Sequence, residues 1–177
     1  MLTCQLYEEL CQGKTDRDGI RALRERGLIE STDHAALKAK QKAYKKSVKD
    51  PGQNLVAGVG EFIGLLAEHG ISRHLITASD TEWVQSLLVS DGLGPGIAGE
   101  VRCNVTHPDR QRQMRDILRC AQLRPRRTLL IDDSETNLSL AHALHIRTVH
   151  LRSTGIPHLS EHAEITVSDY EELMSHI

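Results

Sequence analysis

The stretch Thr128-Leu129-Leu130-Ile131-Asp132-Asp133-Ser134-Glu135-Thr136-Asn137 decides the fold. An apolar run ends on two adjacent carboxylates, and Leu138, Leu140, Ala141 and Leu144 follow at helical spacing. A short buried strand that delivers acid groups to the carboxyl edge of a parallel sheet has this pattern. That edge is where open α/β sheets bind ligands. Two neighbouring aspartates repel each other, so a bound cation is a natural reason to place them there, and oxygen-only ligands favour a hard ion such as Mg²⁺. Asn137, four residues past Asp133, is positioned to hydrogen-bond back and hold the acidic turn. The same residues have a purely structural reading, in which Asp132 ends the sheet strand and Asp133 or Ser134 caps the helix.

Working outward, the pattern predicts a strand at 128–132, a helix at 135–144 and a strand over Thr148–Leu151. A short strand at 164–167 and a last helix from Asp169 to Ser175 follow. On the other side, Val59, Phe62, Ile63, Leu65, Leu66 and Ala67 fit an amphipathic helix closed by His69-Gly70. Ile71 to Ala78 then reads as a strand, Glu82 to Leu88 as a helix, Val101 as the centre of a short strand, and Arg110 to Ala121 as a helix. Strands alternating with helices predict an α/β fold, a parallel sheet with helices on both faces.

Residues 2–50 read differently, as helices alone. Leu2, Leu6 and Leu10 share one face. Ile20, Leu23, Leu28 and Ile29 form a second group after Thr15-Asp16, with Gly27 as its C-cap. Ser31, Thr32 or Asp33 caps a third helix, His34 to Val48, whose lysines (Lys38, Lys40, Lys42, Lys45, Lys46, Lys49) read as a solvated face. An anion-facing surface is the alternative. Asp50-Pro51-Gly52 ends this block, so the expected division is a helical cap-like region at 1–52 and an α/β core at 53–177.

The chain has 177 residues, enough for a sizeable core, and a formal net charge of −2. That balance gives no argument for a nucleic-acid partner. No apolar run approaches the roughly 20 residues of a membrane span, and the first residues have no signal-peptide pattern. Cys4, Cys11, Cys103 and Cys120 lack metal-binding spacing. Reduced thiols and a cytoplasmic location are therefore the expectation.

Leu130-Ile131-Asp132-Asp133-Ser134-x-x-Asn137, followed by Ala141-x-Ala143-Leu144-x-Ile146-x-Thr148-Val149-His150-Leu151, resembles the last metal-binding motif of haloacid dehalogenase-like (HAD) phosphohydrolases. The flavour is that of pyrimidine 5′-nucleotidases and phosphoglycolate-phosphatase-like enzymes. The likeness covers residues 55–152. It implies a Rossmannoid sheet, Mg²⁺ on Asp132 and Asp133 with Asn137 in support, and a small phosphorylated metabolite as substrate. Thr77, closing Leu75-Ile76-Thr77, matches the family's phosphate-binding Thr or Ser, while Ser79 and Asp80 read as the start of the next helix. The family's basic residue is a Lys or Arg about twenty residues before the acid pair. Thr106 to Arg112 holds no lysine, so Arg110 is the candidate, with Arg112 behind it.

The family's first motif, an apolar strand ending in Asp-x-Asp, has no convincing match. The one Asp-x-Asp is Asp16-Arg17-Asp18, and the polar residues Cys11 to Thr15 before it cannot be a central buried strand. Asp16 is better read as a helix cap, which leaves no catalytic residue identified. In the HAD sheet the missing strand is central, between the strands ending at Thr77 and Asp132. The chain could be a shortened version of a longer enzyme, or a degenerate member kept for binding, or Met1–Leu6 could fill the gap. The expectation is a protein descended from a Mg²⁺-dependent phosphohydrolase, impaired or incomplete as an isolated chain. The rival is a non-catalytic phosphate- or metal-binding or scaffold protein on the same fold. A receiver-like domain is weaker, because its acid pair follows the first strand. Exposed strand edges make self-association a further expectation.

Overall fold

The computed structural model describes residues 6, 9–11, 16–47, 55–77, 81–90, 92–94, 97, 101–103, 109–152 and 159–176. Met1–Asn54 and Leu55–Ile177 are two separate compact units.

The first unit is helical. Helix α1 (Asp16–Glu25) buries Ile20, and Leu10 is buried in the short helical stretch before it. Gly27, at φ 68°, reverses the chain: its N–H donates to Arg24 O at 2.8 Å, and that of Leu28 to Leu23 O at 2.9 Å. This is the glycine-closed helix end that a left-handed residue permits. Leu28 itself is exposed, contrary to its expected place in an apolar group, because the closure spends it on the turn. Thr32 caps α2 (Asp33–Ser47), its Oγ1 accepting from the Ala35 N–H at 3.3 Å. Lys38, Lys40 and Lys42 are exposed, and Lys40 pairs with Asp16. Leu2, Lys49 and most of Met1–Leu6 lie outside the described residues.

The second unit runs α3 (Val59–Glu68), β1 (Leu75–Thr77), α4 (Thr81–Ser90), β2 (Val101–Cys103), α5 (Arg110–Cys120), β3 (Leu129–Asp132), α6 (Glu135–Ala143), β4 (Arg147–Leu151), β5 (Ile165–Val167) and α7 (Tyr170–Met174). All pairings are parallel. β1 pairs β2 with Leu75 opposite Val101. β4 lies between β3 and β5, with Asp132 opposite His150 and Val149 opposite Ile165.

Alternation along the strands feeds two cores, one on each face. Ile131 and Val149 point to a cluster with Phe62 and Leu66 of α3 and Leu173 of α7. Leu130 points the other way, to Met114 and Leu118 of α5 and Ala141 of α6, and Ile76 of β1 joins that same cluster. Helices therefore cover both faces of a parallel sheet, as the alternating pattern predicts.

One difference from expectation concerns β1. The strand begins at Leu75 rather than Ile71. Gly70, at φ 65°, and the Ile71 N–H, donating to Leu66 O at 2.9 Å, are used to close α3, which leaves the Ile71 side chain exposed. Ala78, Ser79 and Asp80 lie outside the described residues. Of the two outcomes expected for strands that flank a missing one, pairing with each other or staying apart, the structure has the second: β1 and β3 are not hydrogen-bonded to each other, although Ile76 and Leu130 share one cluster. Among the described residues, no strand lies along β3 on the side away from β4, nor along β1 on the side away from β2.

Gly58 joins the ends of α3 and α7. It is the N-cap of α3 at φ 75°, and a Cβ there would fall 2.7 Å from Glu171 N and 2.8 Å from Glu171 Cγ. The Tyr170 N–H donates to Ala57 O at 3.0 Å beside it. Gly58→Ala combines left-handed strain of about 1 kcal/mol with an overpacking cost of about 1–3 kcal/mol. Denaturant melts should therefore show a loss of about 2–4 kcal/mol. Gly64→Ala on the same helix, where a Cβ meets nothing within 4 Å, is the control and should stabilise by up to about 1 kcal/mol. A Gly58→Ala variant as stable as wild type would show that the two helix ends are free to separate.

Candidate functional site

β3 carries Asp132 to its carboxyl end, where the chain turns at once into α6. The turn is built on that carboxylate. The Ser134 N–H donates to Asp132 Oδ1 at 2.9 Å, and Asn137 Nδ2 lies 3.1 Å from both Asp132 oxygens. Asn137 thus holds the acidic turn from the first turn of α6. Ser134 occupies the N-cap position, but its side chain makes no capping hydrogen bond. Asp132 instead accepts the N–H of Ser134 itself from outside the helix.

Burial pushes the Asp132 carboxyl above its ordinary value, and the neighbouring Asp133 charge pushes the same way. The hydrogen bonds from Asn137 and Ser134, and the positive charge of Arg110, oppose the rise without cancelling it. Asp133 is exposed. The Tyr170 hydroxyl, at the start of α7, is raised by its own burial and then by the charges of Asp132 and Asp133. Its ring rests on Phe62 with centroids 5.2 Å apart. Tyr170 has no sequence signature as a neighbour of the acid pair, from which 37 positions of chain separate it. His150, the register partner of Asp132 on β4, is buried, and its Nδ1 has no hydrogen-bond partner among the described residues.

The remaining candidates divide. Thr77 ends β1, opposite Cys103. Arg110 is the first residue of α5, behind the N-cap Asp109, whose carboxylate accepts the Arg112 N–H at 2.9 Å. The half-buried Arg110 donates to Gln113 Oε1 at 3.0 Å, and its charge reaches Asp132. Arg112 is turned to solvent and to Asp116, 3.9 Å away. Asp16 and Asp18 lie in the first turn of α1, on a helix and not at a strand end, paired with Lys40 and Arg21.

A carboxylate has about four lone-pair sites. Asp132 commits three of its hydrogen-bonding positions to Ser134 and Asn137 and keeps room for one more partner, while Asp133 is open to solvent. A hard divalent cation suits this pair: it would relieve the like-charge repulsion and take water for most of its shell. Among the described residues, no three metal-binding side chains converge on one point. No helix among them is long and apolar enough to cross a membrane.

No protein-family model matches the chain, and no curated protein matches it by sequence. Solved structures do match in shape. CbbY from Rhodobacter sphaeroides, solved in complex with phosphate, superposes with a TM-score of 0.77 at 15% identity, covering 98% of this chain and 81% of that one. A predicted phosphoglycolate phosphatase from Haemophilus somnus 129pt gives 0.75 at 16%, covering 97% and 80%. A haloacid dehalogenase-like protein of unknown function from Agrobacterium tumefaciens str. C58 gives 0.72 at 17%, covering 96% and 80%. The chain has the HAD-like Rossmannoid α/β fold.

Proposed function

We propose that this chain is a Mg²⁺- and phosphate-binding protein on a HAD-type phosphohydrolase core, taking a small phosphomonoester and unable, as an isolated chain, to hydrolyse it efficiently. Asp132 and Asp133 hold the ion, Asn137 fixes Asp132, and Thr77 and Arg110 hold the phosphate. When bound, Mg²⁺ neutralises phosphate oxygens and aligns them. The Thr77 hydroxyl donates to one oxygen, and the Arg110 guanidinium offers a planar fork to others. The observation that carries the reading is electrostatic: Arg110, from the N-terminus of α5, is near enough for its positive charge to favour the ionised form of Asp132, so cation and carboxylate are neighbours. The likeness to a structure solved with phosphate supports the ligand class.

The impairment follows from what flanks the acid pair. Among the described residues, no strand lies between β1 and β3 to present a third carboxylate. With no apolar strand ending in Asp-x-Asp in the sequence, we favour binding over turnover, and with it the non-catalytic binding or scaffold reading of the fold. Residues 1–52 are proposed as a cap-like region.

Calorimetry with inorganic phosphate in Mg²⁺ tests the proposal. Hydrogen bonds to a charged group contribute about 1.5–3 kcal/mol, so Thr77→Val and Arg110→Gln should each weaken binding by about tenfold or more. Phosphate binding equal in wild type and both variants would remove these residues from the site.

A further inference from the structure

We infer that His142 and His162 form a second metal site, for a borderline transition-metal ion of the Zn²⁺ class, separate from the acid pair. The feature is a row of three side chains on the outer surface of α6. Glu135 and His142 are seven residues apart on that helix, so they project from nearly the same side about 10.5 Å apart along the axis. His162, from the segment before β5, touches both. Its Nδ1 is 2.5 Å from Glu135 Oε1, and its ring meets that of His142 edge-on, with centroids 5.6 Å apart and planes at 69°.

This spacing is close to the one a shared ion needs. Zinc–imidazole bonds of about 2.0–2.1 Å, added to a ring radius of about 1.1 Å, put two ring centroids on one tetrahedral ion about 5 Å apart. The exposed His142 ring has room to reorient toward such an ion. A carboxylate on the far nitrogen is the support a metal-binding histidine requires: it fixes the ring's orientation and leaves Nε2 as the ligand atom. The backbone carrying His162 is itself anchored. The His162 N–H donates to Ser160 Oγ at 3.1 Å, and the Thr148 hydroxyl of β4 donates to His162 O. With no third protein ligand converging among the described residues, the ion takes two imidazoles and completes its shell with water. Nitrogen ligands suit zinc, nickel or copper and discriminate against Mg²⁺.

Calorimetric titration of the full chain with zinc chloride, in excess Mg²⁺ to occupy the acid pair, is the test. One ion should bind to wild type. His142→Ala and His162→Ala should each weaken it tenfold or more, Glu135→Gln should weaken it by about 10–100-fold, and Asp132→Asn/Asp133→Asn should leave it unchanged. All three side chains of the row lie at the surface, and unaltered thermal melts in the absence of zinc check that each variant folds. No zinc binding by wild type, or binding that survives the His142→Ala/His162→Ala double change, overturns the site.

Discussion

Purified free of host phosphatases, the isolated chain should leave a generic aryl phosphate essentially uncleaved with Mg²⁺ across about pH 5–8. HAD-type phosphoryl transfer needs a carboxylate nucleophile within about 3–3.5 Å of phosphorus and an acid to protonate the leaving oxygen. In the proposed site Thr77, Arg110 and a cation would hold phosphate, but binding the ground state does not lower the barrier. Asp132 is engaged by Ser134 and Asn137, and in the proposed site Asp133 would hold the ion, which leaves neither as a free nucleophile. Asp16 and Asp18 sit on a helix in the first unit, engaged with Lys40 and Arg21. Loss of a nucleophile costs a hydrolase on the order of 10⁶-fold in turnover, well below the rate at which an active relative would be detected. Robust turnover that disappears when a single Asp of this chain is changed to Asn would sink the prediction and identify the nucleophile; Asp16→Asn is the first variant to assay.

The second large effect is on the metal. Wild type should bind Mg²⁺ weakly, and Asp132→Asn/Asp133→Asn should abolish that binding heat, because both proposed anionic ligands go together. The same variant should be at least as stable as wild type in the absence of metal near neutral pH. Burial raises the Asp132 carboxyl above its unfolded value of 3.8, so the metal-free fold holds that proton more tightly than the unfolded chain does. The stability this group contributes is full below the unfolded pKa and is lost as pH rises through the folded one. At neutrality the buried carboxylate is then a net cost to the fold, and the amide removes it. Mg²⁺ competes with the same proton, so wild-type affinity should fall on acidification at a pH above the ordinary aspartate range. Equal Mg²⁺ binding in wild type and double variant would exclude the acid pair as the metal site. A metal-free variant clearly less stable than wild type at neutral pH would show that the Asn137 and Ser134 hydrogen bonds to the anion outweigh its desolvation.

Much of this was legible because it is local. Leu130 and Ile131 alternate between two faces, and that alternation marks β3 before any partner is known. Asn137 lies five residues from Asp132, in the first turn of the helix that follows the strand, so its hydrogen bond follows from the strand-to-helix junction alone. Gly27 ends α1 because a left-handed residue is needed there, whatever surrounds it. The HAD-like core could be inferred for the same reason: its last motif is a continuous run of residues.

Other features belong to tertiary structure. Ile71 reads as a strand residue, but its N–H is spent on closing α3, a competition between neighbours that periodicity does not weigh. Tyr170 reaches the field of Asp132 and Asp133 only because α7 packs on α3, with Gly58 allowing the close approach. His162 meets Glu135 and His142 only once β5 has paired with β4. Whether β1 and β3 pair directly or stay apart was left open by the sequence, and only the structure leaves them unpaired with each other. Local order follows from backbone and side-chain preferences over a few residues. Which strand edges meet, and which distant charges share a desolvated space, depends on packing across the whole unit, and no short stretch of sequence carries that information.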